Sequence, residues 1–131
     1  MDGVSALGDA PPAFVDKVRG ICSTLPDAYE EPAWVGTRWR IRKRTIAHVF
    51  TIDSESGPRP AVMFRSTGPE LDALRGMGDP YVTGWKNAAM LYLGGDTDWT
   101  EVTELLTESY CFLAPKKLVA NVQRPDAQLA D

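Results

Sequence analysis

One histidine and two cysteines, His48, Cys22 and Cys111, are all the thiol and imidazole ligands this 131-residue chain contains. A structural zinc site takes four Cys or His ligands, usually in closely spaced pairs. Three residues set 26 and 63 positions apart do not supply one. A serine or cysteine nucleophile would have only His48 as its histidine base. His48 lies within an apolar run, Ile46 to Ile52, and reads as a strand histidine packed at a sheet surface rather than a catalytic base. A glycine-rich phosphate loop is also lacking. Gly94-Gly95 is followed by Asp96 and Asp98, whose charge repels phosphate, and the pair reads as a turn. No apolar stretch reaches the roughly 18–20 residues of a membrane helix. The N-terminus lacks the cationic and then apolar pattern of a signal peptide, so the chain is expected in the cytoplasm with both cysteines reduced. Cys22 and Cys111 each sit in a helical pattern beside apolar neighbours and read as buried thiols rather than a redox pair. These absences name no metal ligand, no cofactor and no catalytic residue. The expectation is a protein that is not an enzyme, with a small-molecule enzyme as the residual alternative.

What is present is an uneven charge distribution. The formal net charge is −4. Residues 38–44 read Arg-Trp-Arg-Ile-Arg-Lys-Arg, five basic residues in seven. The rest of the chain holds nine Lys or Arg against 18 Asp or Glu, a net of −9. A basic stripe on an acidic body is a candidate contact for a polyanion.

Hydrophobic periodicity sets the organisation. Residues 1–10 lack periodicity and read as a loose tail, as do residues 123–131. Between them, residues 11–122 read as one domain. Pro11-Pro12 opens a helix carrying Phe14, Val15, Val18, Ile21, Cys22 and Leu25, and Pro26 ends it. Tyr29 to Ala33 can form a short extended segment. Thr37 to Lys43 alternates with period two: Trp39 and Ile41 point one way, and Arg38, Arg40 and Arg42 the other. Arg44-Thr45 reads as the turn into a second strand, Ile46 to Asp53, and a third runs from Pro60 to Arg65. Pro69 opens a short helix that ends near Arg75. Tyr81-Val82 reads as a short strand and Trp85 to Leu93 as a longer one. Asp98 or Thr97 caps a last long helix to Leu113, whose apolar face carries Trp99, Val102, Leu105, Leu106 and Tyr110. Glu101, Glu104 and Glu108 share its other face. Three carboxylates at this spacing can bind metal or move protons, but a solvated helix face accounts for them as well. The order α-β-β-β-α-β-β-α gives an α+β, two-layer fold: an antiparallel sheet of about five strands with helices packed on it.

Four stretches together resemble the MmcQ/YjbR family of small bacterial proteins. They are Leu25-Pro26-Asp27-Ala28-Tyr29-Glu30-Glu31, then Trp39 to Ala47 as its first hairpin, Trp85 to Leu93 as its tryptophan-led strand, and Glu108 to Leu118 with Ser109-Tyr110 and Pro115-Lys116. The resemblance spans residues 11–120. It implies a secretion-chaperone-like or "double-wing" α+β fold, from which a DNA-binding role has been inferred. Fold analogy is an associational argument for function. The segment Gly78 to Gly84 departs from the pattern, lacking the His- and Lys-rich stretch of many relatives.

Two functional expectations follow. The first is nucleic-acid binding, DNA in particular, through Arg38, Arg40, Arg42, Lys43 and Arg44. Alternate strand residues stand about 6.6–7 Å apart, a spacing that can follow a phosphate backbone. Trp34, just before the strand, can stack on a base. Against it stands pairing within the chain, since Glu30 and Glu31 on the neighbouring segment can reach Arg40 or Arg42, and another anionic partner fits the same cations. The second is a protein-interaction or chaperone-like adaptor, self-associating as a homodimer or binding another protein through exposed aromatics. Neither needs a membrane.

Overall fold

The structure, a computed structural model, describes residues 5–122. Eleven elements follow one another: β1 (Ser5–Gly8), α1 (Pro12–Cys22), β2 (Tyr29–Pro32), β3 (Thr37–Ile41), β4 (Arg44–Ser54), β5 (Gly57–Arg65), α2 (Gly68–Met77), β6 (Tyr81–Trp85), β7 (Ala88–Tyr92), α3 (Trp99–Leu113) and α4 (Lys116–Val119). The strands form one antiparallel sheet in the order β2-β3-β4-β5-β7-β6, and β1 pairs with the far half of β4. The two-layer α+β arrangement read from the sequence is the one that forms, with two strands more than expected.

The differences have local causes. Ser5–Gly8, read as loose tail, pairs with Asp53, Ile52 and Thr51. So short an edge strand is held mainly by its backbone, and its one large apolar residue, Leu7, stays exposed; hydrophobic periodicity carries no signal for such a strand. Residues 1–4 and the expected tail at 123–131 lie outside the described residues. Trp85 to Leu93 is not one strand. Asn87 adopts a φ of +61°, and the chain reverses at Lys86-Asn87 to form the β6–β7 hairpin. The β3–β4 turn lies at Arg42-Lys43, two residues before the expected Arg44-Thr45, with Arg42 at φ +58°. At the last helix, Asp98 is the cap: its Oδ1 accepts from Thr100 N at 3.1 Å and Glu101 N at 3.3 Å.

All the large helices pack on one face of the sheet. Val18 and Cys22 of α1, Leu71 and Leu74 of α2, and Val102, Leu105, Leu106 and Tyr110 of α3 meet Trp39, Ile41, Val49, Val62, Phe64, Ala89 and Leu91 in one buried cluster. Burial of this apolar surface is the main stabilising term. Between β3 and β4 the register slips: Trp39 faces Ala47, but Arg40 faces Thr45, leaving Ile46 as the extra residue of a bulge. The bulge turns Ile46 and Ala47 both into the core, where each is fully buried.

It also leaves backbone groups of two strands without ladder partners. The buried Ser109 on α3 supplies them: its Oγ donates to Ile46 O at 2.7 Å and accepts from Arg65 N at 2.9 Å. One hydroxyl thus ties β4, β5 and α3 together. Its removal leaves two largely buried groups unpaired, at about 1–3 kcal/mol each. Ser109→Ala is therefore expected to destabilise the fold by about 2–4 kcal/mol. Urea denaturation checks this, and a loss below about 0.5 kcal/mol would contradict the account.

Candidate nucleic-acid interface

Among the described residues, the other face of the sheet carries no helix. Strand register places Glu31, Arg38, His48, Met63, Met90 and Val82 opposite one another in a single row across β2, β3, β4, β5, β7 and β6. Tyr29, Arg40 and Thr45 form a second row, and Arg65, Ala88 and Trp85 a third. Phe50, Ile52, Ala61 and Met90 make a smaller apolar cluster here, flanked by half-buried Val35, Met63, Val82, Trp85 and Tyr92. Arg59, opposite Ile52, lays its guanidinium 3.6 Å from the Tyr92 ring centroid. Among the described residues, the charged strand positions on this face are Arg38, Arg40, Arg59 and Arg65 against one carboxylate, Glu31. Arg59 also pairs with Asp79 at 3.0 Å. The helices of the opposite layer carry Asp16, Glu70, Asp72, Glu101, Glu104 and Glu108 together with Lys17, Arg19, Arg75, Lys116 and Lys117, and α3 alone has three glutamates and no cation.

The basic segment divides in two. Glu31 faces Arg38 across the β2–β3 ladder and accepts from Arg38 Nε at 2.6 Å and from an Arg40 terminal nitrogen at 3.2 Å. These bonds, that from Arg38 foremost, hold the Glu31 carboxyl below its usual range. The expected pairing within the chain therefore forms with Glu31. Glu30 shares the helix-side parity of Trp39 and instead accepts both Arg19 Nε at 2.8 Å and a terminal nitrogen at 2.9 Å. Arg40 is further fixed by donating to Lys43 O. Arg42 is not the third residue of the strand face. It occupies the left-handed turn position, and its carbonyl accepts from Tyr29 OH. Arg42, Lys43 and Arg44 are exposed together at the hairpin tip.

Trp34 stands at the other end of β3. Five strand residues separate it from the tip, a span of about 17 Å at ~3.3 Å per residue, so Trp34 and the tip are separate features. Its side chain is 99% exposed. The turn beneath it is nevertheless fixed on several sides. Ala33 N donates to Gly36 O at 3.0 Å, Gly36 N donates to Asp9 Oδ1 at 3.0 Å, and His48 Nε2 donates to Val35 O at 2.5 Å. Gly36 has φ +80°, and a Cβ there would lie 2.1 Å from Val49 O, so only glycine fits. Val35 packs into the small apolar cluster. His48, at the strand position read for it, is half-buried and stacks on Phe50 at 4.6 Å. Burial lowers its pKa, the bond to Val35 opposes that shift, and Arg38 adds to it. A cleft of about 240 Å³ lined by Thr45, His48, Met63, Phe64, Arg65 and Ala88 opens on this face.

Sequence reasoning missed Arg59, Arg65, Tyr92 and the role of Trp85. Alternation of Arg59, Ala61, Met63 and Arg65 was visible, but nothing in it says which face the helices would leave open. The glutamates of α3 are in part engaged: Tyr81 OH donates to Glu101, and Glu70, Glu101, Glu104 and Glu108 line a groove of about 570 Å³ between α2 and α3. Among the described residues no group of three or more His, Cys, Asp or Glu is placed to hold a metal ion. Cys22 is buried and its thiol is pushed up to about 12, first by burial and then by the Glu30 charge. Cys111 is only half-buried, and among the described residues neither cysteine is in a disulfide. Among the described residues no helix is long and apolar enough to cross a membrane.

Compared with known families, residues 23–112 match the family model named YjbR. That stretch runs from the end of α1 almost to the end of α3 and contains Trp34, Arg38, Arg40, Arg42, Lys43 and Arg44. A comparison with curated proteins finds no match.

Because the folded state holds His48 below 6.5, the unfolded chain binds more protons on acidification. Stability from this residue is complete above pH 6.5 and falls as pH drops below it. The paired carboxyls of Glu30 and Glu31 titrate below 4.5, so they do not contribute in that interval. Urea midpoints measured between pH 7.5 and about 5 are expected to fall for the wild type and to stay flatter for His48→Gln. Parallel curves would contradict the assignment.

Proposed function

The chain belongs to the YjbR family, and we propose that it is a nucleic-acid-binding domain whose contact surface is the helix-free face of the sheet and the β3–β4 hairpin tip. The observation that carries this reading is the cation content of the open face and its adjoining tip. Arg38, Arg40, Arg59 and Arg65 stand at strand positions against Glu31, with Arg42, Lys43 and Arg44 exposed beside them, while Glu101, Glu104 and Glu108 lie on α3 in the opposite layer. An acidic total charge does not oppose binding when the acid faces away from the ligand. Glu31 lowers the charge that Arg38 and Arg40 offer, so Arg42, Lys43 and Arg44 are the principal phosphate contacts.

Each phosphate contact steepens the log–log salt dependence by roughly 0.7–0.9. A variant carrying Arg42→Asn, Lys43→Ala and Arg44→Ala is expected to keep its circular dichroism spectrum, bind a labelled mixed-sequence oligonucleotide more weakly, and lose about 2–3 units of slope. Anisotropy titrations at several salt concentrations measure it. Absence of binding by the wild type at low salt defeats the proposal. The complete exposure of Trp34 favours a second reading, a protein-interaction module. Light scattering that shows a dimer dissociated by Trp34→Ala would support it.

A further inference from the structure

We infer that the nucleic acid taken by this domain is single-stranded, with an unpaired base stacked on Trp34 and the strand continuing over the helix-free face past Arg38. This deepens the nucleic-acid reading and rests on it.

Three observations carry the inference. Trp34 is wholly exposed, yet its turn is pinned by Asp9, His48 and the Gly36 approach to Val49. An indole held out in solvent by a fixed turn has both π-faces open to a ligand, and only bases outside a duplex stack present a π-face to meet it. Second, the open face mixes cations with half-buried Met63, Val82, Trp85 and Tyr92. Duplex DNA offers an approaching sheet phosphates and groove edges, which reward cations and polar groups; among nucleic acids, splayed bases are what match the apolar part of this face. Third, the shape is wrong for a groove. Six strands at about 4.8 Å spacing make a surface roughly 24 Å across, wider than the ~12 Å major groove of B-DNA, which admits a helix or a two-stranded ribbon. The hairpin tip alone could enter a groove, but Trp34 sits at the opposite end of β3 and would be left out. A strand lying along β3 reaches both: a base on Trp34, phosphates at Arg38 and the tip.

The test uses the full chain, a labelled 20-nucleotide mixed-sequence DNA strand, and the same strand annealed to its complement, at low salt. The single strand is expected to bind at least tenfold more tightly. Trp34→Ala is expected to weaken single-strand binding by roughly 5- to 100-fold, and Trp34→Phe to recover much of it, since either ring can stack. Duplex binding is expected to change less than twofold in both variants, and tryptophan fluorescence of the wild type to be quenched by the single strand. Equal affinity for the two probes, or no effect of Trp34→Ala on the single strand, overturns the inference and leaves the nucleic-acid reading in place. Failure of both probes to bind overturns both.

Discussion

The hydroxyl of Ser109 is the point on which the two layers depend. A bulge in β4 gives the core an extra apolar residue, Ile46, but breaks the ladder that would have paired its carbonyl and the amide of Arg65. A helix side chain that donates to one and accepts from the other makes the irregularity affordable. The irregularity also sets which face Thr45 takes. With Ile46 and Ala47 both turned inward, Thr45 falls on the same face as His48 and stands opposite Arg40.

That dependence explains what could be read from the sequence. Trp39 and Ile41 inward with Arg38 and Arg40 outward followed from period two, since an alternating run has only two faces. The helices followed from 3.6-residue spacing and from their prolines and Asp98. Arg42 did not follow, because a closing turn needs a residue with positive φ and the segment contains neither glycine nor asparagine to mark it. Glu31 and not Glu30 on the arginines is a register fact: the two differ by one residue and therefore by a face of the sheet. The open face itself was hidden, because it is defined by where helices are not. Its residues come from six strands spread over more than fifty positions, and no local pattern joins Arg38 to Met90.

Charge separation in this domain is accordingly topological. The last long helix, α3, brings three glutamates and no cation to the helix side of the sheet. The strands present arginine wherever the core leaves a position free. A chain with net charge −4 can in this way still carry a locally cationic surface. The pairing of Glu31 with Arg38 and Arg40 then acts as a local neutraliser that any anion must displace.

The hydrogen bond from Gly36 to Asp9 joins segments 27 residues apart, and Asp9 also anchors the N-terminal strand by accepting from Thr51 on β4. The turn that carries Trp34 is thus laced to an edge strand and to the centre of the sheet at once. Release of its amides to solvent requires those attachments to let go together. In the language of hydrogen exchange, the most exposed tryptophan of the chain sits on backbone that opens with the fold and not ahead of it.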